Sequence, residues 1–483
     1  MVDCTIKILD EVNVKFTNLA VSTRHKLVNK YKYRLPYAQH LPSVRLGRWD
    51  GTVSVFDLGG RSYVNLLEEI IPILIEDGYD LELEDHRTVR NFEFQEVTAN
   101  LLSHKTWPKG HRLEGQPIIL ADHQVTAINE YLRNPQSIQE LPTSSGKTVV
   151  TASLSMLCEP YGNTVVIVPN KYLVKQTLED YTNLGLDVGV YFGDKKELGH
   201  KHTICTWQSL NNIFKNKKEN EEARDAAELL LKDLICVMVD ECHASKADVL
   251  KSMLTGPFAN IPLRWGLTGT IPKEDYEFMY LYISIGQVVN KIAAKELQDK
   301  GILANCEVNI LQTQDVVAFK SYQEELKYLV TNADRLQLLA DRIQEISKTG
   351  NTIVLVDRLE CGQQLSALIP NSSFVSGKDK IADRKEHYDE MASEDNLVKV
   401  ATYGILSTGV SINRIFNLVL IEPGKSFIRV IQSIGRGLRV ADDKSFVNIF
   451  DVCSTCKYSK RHLTKRKVFY RDAKYNFKIE KIN

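Results

Sequence analysis

Residues 141–148, with the sequence LPTSSGKT, constrain the fold of this 483-residue chain more than any other stretch. They follow residues 137–141, which have the character of a short strand, and they precede residues 149–154, an apolar run with the period of a helix. A loop of small residues between a strand and a helix can wrap its backbone N–H groups around a phosphate at the positive end of the helix. The octet therefore predicts a phosphate-binding loop within an α/β layer.

Different residues of this loop have different expected roles. Gly146 lets the backbone approach a phosphate, the ammonium group of Lys147 reaches the outer phosphates, and the hydroxyl of Thr148 can hold Mg²⁺. The first glycine of the standard GxxxxGK[ST] pattern is replaced by Leu141. A turn rich in serine and threonine before a helix would look similar. Whether the octet binds a nucleotide therefore depends on finding partner residues elsewhere in the chain. The candidate nucleotide ligands in the loop are Thr143, Ser144, Ser145, Gly146, Lys147 and Thr148.

The composition is that of a globular protein with more than one core. The chain is 43% hydrophobic and 25% charged, and a chain of this length usually forms about two to four domains. No apolar run approaches the about 18–20 residues of a membrane span, and the N-terminus lacks the layout of a signal peptide. We therefore expect a cytoplasmic protein with no membrane partner. Nine cysteines scattered through apolar segments favour reduced core thiols over disulfides.

The chain has 61 Lys and Arg residues and 61 Asp and Glu residues, so its formal net charge is zero. Both ends of the chain are nevertheless basic. Residues 457–483 contain ten Lys or Arg against two acids, and residues 1–50 contain nine against four. The C-terminal stretch also interleaves Phe469, Tyr470 and further aromatic residues, a composition suited to phosphate contact and base stacking. A solvated charged tail explains the charge equally well.

The first 98 residues carry no phosphate loop and indicate a small α+β module. Alternating apolar residues predict strands at 5–9 and 12–16, and a helix is expected from about 22 to 31. Residues 46–56 predict a hairpin with Asp50-Gly51 as its turn. The module could hold DNA geometry through its basic residues, or it could serve only in folding and docking.

From about residue 99 the pattern changes to buried strands separated by amphipathic helices, which is typical of a parallel sheet. Apolar residues 234–239 lead directly into Asp240 and Glu241. Asp240 is placed to hold Mg²⁺ opposite Thr148, and Glu241 to orient and deprotonate an attacking water. An Asp-Glu pair at a strand end is common by itself, but with a phosphate loop 93 residues earlier it favours a nucleoside triphosphatase.

Other polar residues accompany this expected site. Gln124 begins a helical segment 23 residues before Lys147 and is suited to contact adenine, although alone it would be a helix-surface glutamine. Residues 265–270 supply small hydroxyls and glycines suited to a mobile joint. Two further strands end in Pro169-Asn170 and in residues 206–209, at the carboxyl edge where α/β proteins bind ligands.

A second α/β pattern follows residue 290 without a second phosphate loop, so this lobe is expected to donate residues to the first. Gln432, Arg436 and Arg439 lie at i, i+4 and i+7 and share one helix face. The two guanidinium groups fit arginine fingers that stabilise charge on a γ-phosphate. Two solvated arginines on an outer helix are the structural alternative.

Taken together, these stretches resemble superfamily 2 helicases and translocases. The match is closest to phage branched-DNA helicases of the UvsW type, which carry a similar Gly-x-Trp-Asp-Gly turn, here residues 47–51. The stretches that carry the resemblance are motif I (142–148), Ia (168–170), Ib (206–208), II (240–243), III (267–270), V (402–412) and VI (432–439). Motif V lacks the acidic residue that many members place after its glycine.

The resemblance implies two tandem RecA-like parallel-sheet lobes with a small N-terminal α+β domain. The implied boundaries are 1–98 for an accessory, DNA-binding domain, 99–290 for lobe 1, 291–455 for lobe 2 and 456–483 for a basic tail. It also implies ATP and Mg²⁺ as ligands, with Lys147, Asp240, Glu241, Gln432, Arg436 and Arg439 as the catalytic set. The residues implied to couple the lobes are His243, Thr268, Thr270 and Gln432. The residues implied to line the nucleic-acid track are Pro169, Asn170, Thr206, Gln208, Thr408 and Gly409.

The implied activity is an ATP-driven motor on forks, Holliday junctions and displacement loops, acting in recombination, repair or replication within a host cytoplasm. The implied partner is branched DNA, with RNA in R-loops as a further partner. An RNA helicase, a duplex translocase that does not unwind and a non-enzymatic nucleic-acid clamp remain as alternatives.

Overall fold

The structure is a computed structural model. It describes residues 2–109, 111, 113–244, 247–272, 274–377, 390–391, 393–403, 414–425 and 444–482. The chain divides into two compact units, one formed by Met1–Leu141 and Lys147–Lys291, the other by Pro142–Gly146 and Ile292–Asn483. No helix within the described ranges has the length and apolar character needed to span a lipid bilayer.

The first unit begins with a small mixed sheet. Its elements are β1 (Val2–Ile8), β2 (Asn13–Thr17), α1 (Val21–Lys30), β3 (Lys32–Arg34), α2 (Pro42–Arg45), β4 (Thr52–Ser54), β5 (Arg61–Tyr63), α3 (Leu67–Glu76) and β6 (Tyr79–Asp85). The main strand order is β5-β2-β1-β6, with β1 and β2 antiparallel and β1 and β6 parallel. Alternate residues of the first two strands, such as Ile6 and Phe16, are buried, as a sheet with one covered face requires.

The predicted hairpin over residues 46–56 is wrong. β4 pairs antiparallel with β3, which lies about 20 residues earlier, and residues 46–49, which would be the first strand of the hairpin, form no strand and follow the short helix α2. Asp50 and Gly51 do form a turn, since Gly51 has a φ of +77° and the Asp50 carboxylate accepts the N–H of Thr52 at 3.0 Å. The local turn signal was therefore real, but it connects α2 to β4 rather than two neighbouring strands.

The rest of the first unit is a larger sheet with helices on its faces. Its strands are β7 (Gln136–Glu140), β8 (Asn163–Val168), β9 (Val188–Phe192), β10 (Lys195–Lys196), β11 (His202–Thr206), β12 (Leu234–Asp240), β13 (Leu263–Thr268) and β14 (Gln287–Lys291). The helices are α4 (Asp122–Arg133), α5 (Lys147–Cys158), α6 (Lys171–Asn183), α7 (Trp207–Asn216), α8 (Glu221–Leu231), α9 (Ala247–Leu254) and α10 (Asp275–Ser284).

This sheet has the order β10-β9-β11-β8-β12-β13-β7-β14, and its strand pairs are parallel apart from β9 with β10. Residues 234–239 of β12 are all buried, which explains their continuous apolar run between two parallel neighbours. Because the strands run in one direction, the residues that follow β7, β8, β11, β12 and β13 meet at one edge.

The N-terminal sheet packs against the second sheet of the same unit. Tyr280 and Ile283 of α10 lie in the hydrophobic core that β1 and β2 build. The Asn13 amide donates to the carbonyl of Thr255 at 2.9 Å, and the Gln136 amide donates to that of Glu11 at 2.9 Å. The N-terminal module is therefore joined to the helix that follows β13.

The second unit is a fully parallel sheet. Its strands are β15 (Asn305–Thr313), β16 (Thr352–Val356), β17 (Ser372–Val375), β18 (Val398–Thr402), β19 (Asn417–Ile421), β20 (Phe446–Ser454) and β21 (Phe477–Ile482), in the order β17-β18-β16-β19-β20-β15-β21. The described helices are α11 (Ala294–Asp299), α12 (Tyr322–Thr331), α13 (Ala333–Ser347), α14 (Leu359–Leu368) and α15 (Lys457–Asp472). The predicted α/β class with two parallel-sheet lobes is confirmed.

The C-terminal stretch belongs to this second sheet. Residues 457–472 form α15, and β21 pairs in parallel with β15 as an edge strand. The helix buries Ser459, Leu463, Arg466 and Tyr470, one side chain per turn. The basic residues 457–482 are thus folded against lobe 2 and do not form a separate solvated tail.

Candidate nucleotide and nucleic-acid site

The phosphate loop lies where the sequence predicts it, between β7 and α5. The N–H of Leu141 donates to the carbonyl of Thr268 at 2.8 Å, which ties the start of the loop to the end of β13. Ser144 and Gly146 have φ angles of 69° and 82°, in the left-handed region that glycine adopts at little cost. α5 begins at Lys147, so the loop leads directly into the N-terminus of a 12-residue helix, where anions are favoured.

The central contact of the site joins the loop lysine to the predicted water-orienting carboxylate. Nζ of Lys147 lies 2.6 Å from Oε1 of Glu241, although the two residues are 94 positions apart. Their side chains are only 10% and 9% exposed. The ammonium group of Lys147 is largely enclosed beside this carboxylate. It has further N–H groups, so a phosphate oxygen could accept a hydrogen bond from it in place of Glu241.

The Asp240-Glu241 pair lies at a sharp turn after β12. Glu241 has a φ of 48°, and its N–H donates to Oδ1 of Asp240 at 2.9 Å. The second oxygen of Glu241 accepts the N–H of Gly269 at 3.3 Å. Glu241 therefore contacts both the loop lysine and the residues that follow β13.

A chain of hydrogen bonds continues from this point through His243. Nδ1 of His243 lies 2.5 Å from the Thr268 hydroxyl, which in turn donates to the carbonyl of Thr270 at 2.7 Å. Since the Thr268 hydroxyl gives its single proton to that carbonyl, the Nδ1–H of His243 must be the donor in the first bond. Burial lowers the pKa of His243, which favours the neutral imidazole over the imidazolium ion.

These residues fit ATP with Mg²⁺ in their chemistry. The set combines one ammonium group, two carboxylates and the Thr148 hydroxyl at the start of a helix, next to a loop with left-handed residues. Hard oxygen ligands suit Mg²⁺ and a lysine at a helix N-terminus suits phosphate. Among the described residues, no cluster of three or more His, Cys, Asp or Glu side chains is arranged to hold a metal ion by itself.

Gln124 lies at the start of α4, as predicted, and one of its contacts is local. Its side-chain oxygen accepts the N–H of Ala121 at 3.0 Å. This bond satisfies a helix N-terminal donor, and it orients the amide. The role of Gln124 with adenine stays a prediction.

The four described track residues line one cavity. Pro169, Asn170, Thr206 and Gln208 border a space of 560 Å³ at the carboxyl edge of the first sheet. Asn170 caps α6 by accepting the N–H groups of Tyr172 and Leu173, and Thr206 caps α7. The strand ends thus bring together residues that are about 40 positions apart in the sequence.

The same cavity is also lined by two lysines and an asparagine that were not predicted from the sequence. Lys171, Lys196 and Asn212 border it, and Lys196 pairs with Glu222 of α8 at 2.6 Å. Lys171 directly follows Asn170, so its position could have been inferred. The position of Lys196 could not have been inferred in this way, because this residue reaches the cavity through the β9–β10 turn.

Five of the proposed site residues, Thr408, Gly409, Gln432, Arg436 and Arg439, lie outside the described residues. Their roles stay predictions from the sequence.

In the first parallel sheet, the loop lysine contacts the Asp-Glu pair that follows another strand. The same chain holds a second parallel sheet. Together these features define a nucleoside triphosphatase with two RecA-like lobes. Residues 117–273 match the family described as the res subunit of type III restriction enzymes. The chain is 24% identical over 504 residues to the ATP-dependent DNA helicase uvsW of Enterobacteria phage T4, covering 96% of each protein. The predicted relationship to superfamily 2 helicases of the UvsW type is confirmed.

Two further similarities are less extensive. The DNA 3'-5' translocase XPB2 of Sulfurisphaera tokodaii is 27% identical over 221 residues, which is 45% of each chain. The solved structure of S. cerevisiae Dbp5 bound to RNA and ADP BeF3 superposes with a TM-score of 0.54 at 13% identity, over 75% of this chain and 90% of that one. At that identity the second likeness shows the fold alone.

Proposed function

We propose that this protein is an ATP-dependent DNA helicase of superfamily 2 that remodels branched DNA in recombination, repair or replication. The observation that carries the proposal is the contact of Lys147 with Glu241, since it joins the expected phosphate ligand to the expected hydrolytic base. Similarity to the phage helicase over nearly the whole of both chains supports the choice of DNA. The substrates would be forks, Holliday junctions and displacement loops, with RNA of R-loops as a further partner.

Lys147 would exchange partners when nucleotide binds. In the present arrangement its ammonium group is held by Oε1 of Glu241. A phosphate would draw Lys147 away, because it carries more charge than one carboxylate, and this would leave Oε1 of Glu241 able to orient water. Thr148 and Asp240 would hold a Mg²⁺ ion, whose charge neutralises the phosphates when it is bound. Gln124 and the loop residues 143–146 would fix the rest of the nucleotide.

His243 and the residues after β13 would transmit this exchange. Glu241 contacts Gly269, and His243 contacts Thr268, so release of Glu241 from Lys147 changes the restraints on residues 268–270. The chain then enters α10, which packs into the N-terminal core. Differential contact in the two nucleotide states is what coupling to movement requires.

Gln432, Arg436 and Arg439 would complete the catalytic set from the second lobe. Arg436→Ala is expected to keep ATP affinity within several-fold and to lose hydrolysis, because an arginine finger acts on charge that develops during the reaction. A large loss of ATP binding with turnover preserved would contradict the finger role.

The test is an ATPase assay on single strands, forks, four-way junctions and duplex RNA of equal length. Stimulation is expected to be strongest with branched DNA, and Glu241→Gln should bind ATP while failing to hydrolyse it. Stimulation only by duplex RNA would favour the RNA-helicase alternative. Measuring strand separation beside displacement of a triplex-forming strand distinguishes a helicase from a duplex translocase, an alternative that the similarity to XPB2 supports. Absence of any turnover would leave the nucleic-acid clamp.

A further inference from the structure

The C-terminal helix α15 has two opposite faces with different chemistry. Its buried residues, Ser459, Leu463, Arg466 and Tyr470, fall within about 60° of each other at 100° per residue. The exposed basic residues lie on the opposite side, within about 140°. We call these five cations, Lys457, Lys460, Arg461, Lys465 and Arg471, the basic face. The exposed Thr464, Val468 and Asp472 lie on the same side of the helix.

The buried face holds the helix rigidly against the second sheet. Arg466 donates from Nε and Nη2 to the two oxygens of Asp451, both at 2.8 Å, and the Tyr470 hydroxyl donates to the same carboxylate at 2.7 Å. Glu325 accepts the N–H groups of Tyr458 and Ser459 at the helix N-terminus. The basic face is therefore presented on a fixed support.

The cations of the basic face are not neutralised by acids of the described chain. None of the five lies within 4.0 Å of a carboxylate there. Other exposed lysines of the same unit do have such partners, as Lys300 has Glu296 and Lys348 has Glu345. A run of cations about 21 Å long, counted at 1.5 Å per residue from 457 to 471 and without a carboxylate partner among the described residues, attracts a polyanion.

His462 reports the positive field beside this face. Burial and the neighbouring cations Arg466, Lys425, Lys465 and Arg461 lower the pKa of His462 to about 4. Burial is the largest of these causes, and the cations add to it because a further positive charge beside them is unfavourable.

Two aromatic rings of this region contact cations of the basic face, since Nζ of Lys457 lies 5.4 Å from the ring centroid of Tyr458 and the guanidinium carbon of Arg471 lies 5.7 Å from that of Phe477. The other aromatic side chains are turned into the fold. Tyr470 and Tyr475 are buried, and Phe477 packs against Tyr470 with ring centroids 6.1 Å apart. Base stacking by these side chains, one of the two contacts that the sequence suggested, is therefore not available to Tyr470 or Tyr475. Single-strand sites usually combine charge with such stacking platforms, whereas a duplex keeps its bases stacked inside and presents its phosphates along the outside.

We propose that the basic face of α15 binds the phosphate backbone of double-stranded DNA. The inference rests on the proposed function in that the duplex would be an arm of the branched substrate. The face would hold the arm without reading its sequence, because it offers cations and no groups that reach base edges. It would add affinity for duplex without taking part in ATP hydrolysis.

The experiment compares two triple variants that remove the same charge from the second unit. Lys460→Gln, Arg461→Gln and Lys465→Gln alter the basic face, while Lys295→Gln, Lys300→Gln and Lys348→Gln remove paired lysines of other exposed helices. Binding of the full chain to a blunt 20-bp DNA duplex, a 20-base oligo-dT strand and a duplex RNA is measured by fluorescence anisotropy between 50 and 200 mM KCl. Thermal melting verifies that each variant is folded.

The basic-face variant is expected to bind duplex DNA about tenfold more weakly at 100 mM KCl, with the slope of log affinity against log salt reduced by about two to three. The control variant and oligo-dT binding should change less than twofold. A loss on duplex DNA, with or without a loss on duplex RNA, supports the inference. An equal loss in the control, an unchanged salt slope, or a loss confined to oligo-dT or RNA overturns it.

Failure of this inference is distinguishable from failure of the proposed function. If branched DNA fails to stimulate wild-type ATPase activity, the helicase proposal fails, whatever the duplex titrations show. If stimulation is present and the salt slope is the same in both triple variants, only the role of α15 is lost. A second variant, Lys457→Gln with Arg471→Gln, should give a smaller loss in the same direction.

Discussion

Each unit of the molecule holds an ion pair between a helix residue and a carboxylate of its sheet, and the two pairs are built differently. In the first unit Lys147 and Glu241 make one contact at 2.6 Å, at the end of a strand, and both remain about a tenth exposed. In the second unit Arg466 and Asp451 are completely buried, and Asp451 lies within β20.

The second pair makes several hydrogen bonds, both between its members and with neighbouring groups. Asp451 accepts from two nitrogens of Arg466 and from the Tyr470 hydroxyl. Arg466 also donates from Nη1 to the carbonyl of Gly424 at 2.7 Å. A ligand could compete for this arginine only by leaving a buried carboxylate uncompensated, which costs several kcal/mol.

The difference shows how burial separates a functional ion pair from a structural one. An ammonium group with one observed carboxylate contact at a strand end can change partner without loss of the fold. A fully buried guanidinium group that donates to both oxygens of a buried carboxylate and to a backbone carbonyl cannot. Variants of the two pairs should therefore have opposite signatures, one in turnover and the other in stability.

Lys147→Ala should have the largest effect, a loss of ATP turnover of about 10³-fold or more, because charge developing on the phosphates loses its ammonium partner. DNA affinity should change less than about threefold, since the cavity that contains Gln208 does not depend on Lys147. Steady-state ATPase measurements and DNA anisotropy provide the test. Normal turnover would remove the nucleotide assignment, and a large fall in melting temperature would mean that this pair is structural too.

Asp451→Asn should act on stability instead. It leaves the buried Arg466 without a charged partner, and the expected loss is about 3 kcal/mol of unfolding free energy. Urea denaturation measures this loss, with Asp299→Asn, which breaks the exposed pair with Lys295, as a control expected to cost less than about 0.5 kcal/mol. Below the unfolding transition, turnover per folded molecule should be unchanged. Equal stability of the two variants would show that the buried pair is not the anchor of α15.

The two regions also differ in how far the sequence predicts them. The strand over 234–239, the turn into Asp240 and Glu241, and the loop before α5 follow from local patterns, because a continuous apolar run and a GKT loop each specify their own surroundings. Their convergence follows from the rule that parallel strands end at one edge. The Lys147–Glu241 contact is a tertiary contact between residues far apart in the sequence, and the same rule explains why the two residues lie near each other.

The C-terminal region could not be predicted in this way. Its net charge indicated a solvated or DNA-binding tail, and the spacing of Leu463, Arg466 and Tyr470 on one helix face was the available signal for burial. An arginine on such a face is paired when buried, but no local pattern names Asp451 as the partner. The wrong hairpin at 46–56 has a similar cause, because the partner strand β3 lies beyond the reach of the turn signal.

Removing one hydroxyl group from each unit should separate an effect on coupling from an effect on stability. Thr268→Val breaks the chain from His243 to Thr270, and we expect ATP turnover within about threefold of wild type but about tenfold fewer base pairs separated per ATP. Tyr470→Phe removes a bond to Asp451 and should cost about 1.5–3 kcal/mol of stability with unchanged coupling. Fork unwinding and ATPase rates measured on the same samples give the ratio. Equal loss of coupling in both variants would refute the assignment of coupling to the first unit.

The smallest expected effect concerns His462 beside the basic face. Its pKa of about 4 has burial as its largest cause, followed by Arg466 and other cations. Changing Arg461 and Lys465 to Gln removes part of the cationic contribution, so the pKa should rise partway toward its ordinary value of about 6.5 while burial and Arg466 still hold it down. Because the folded-state pKa is depressed, His462 stabilises the fold fully above about pH 6.5, and this contribution is lost as pH falls toward 4. An NMR titration of the histidine ring, assigned with His462→Gln, measures the shift. No rise would mean that burial and Arg466 set this pKa and that the basic face exerts too weak a field to favour a phosphate backbone.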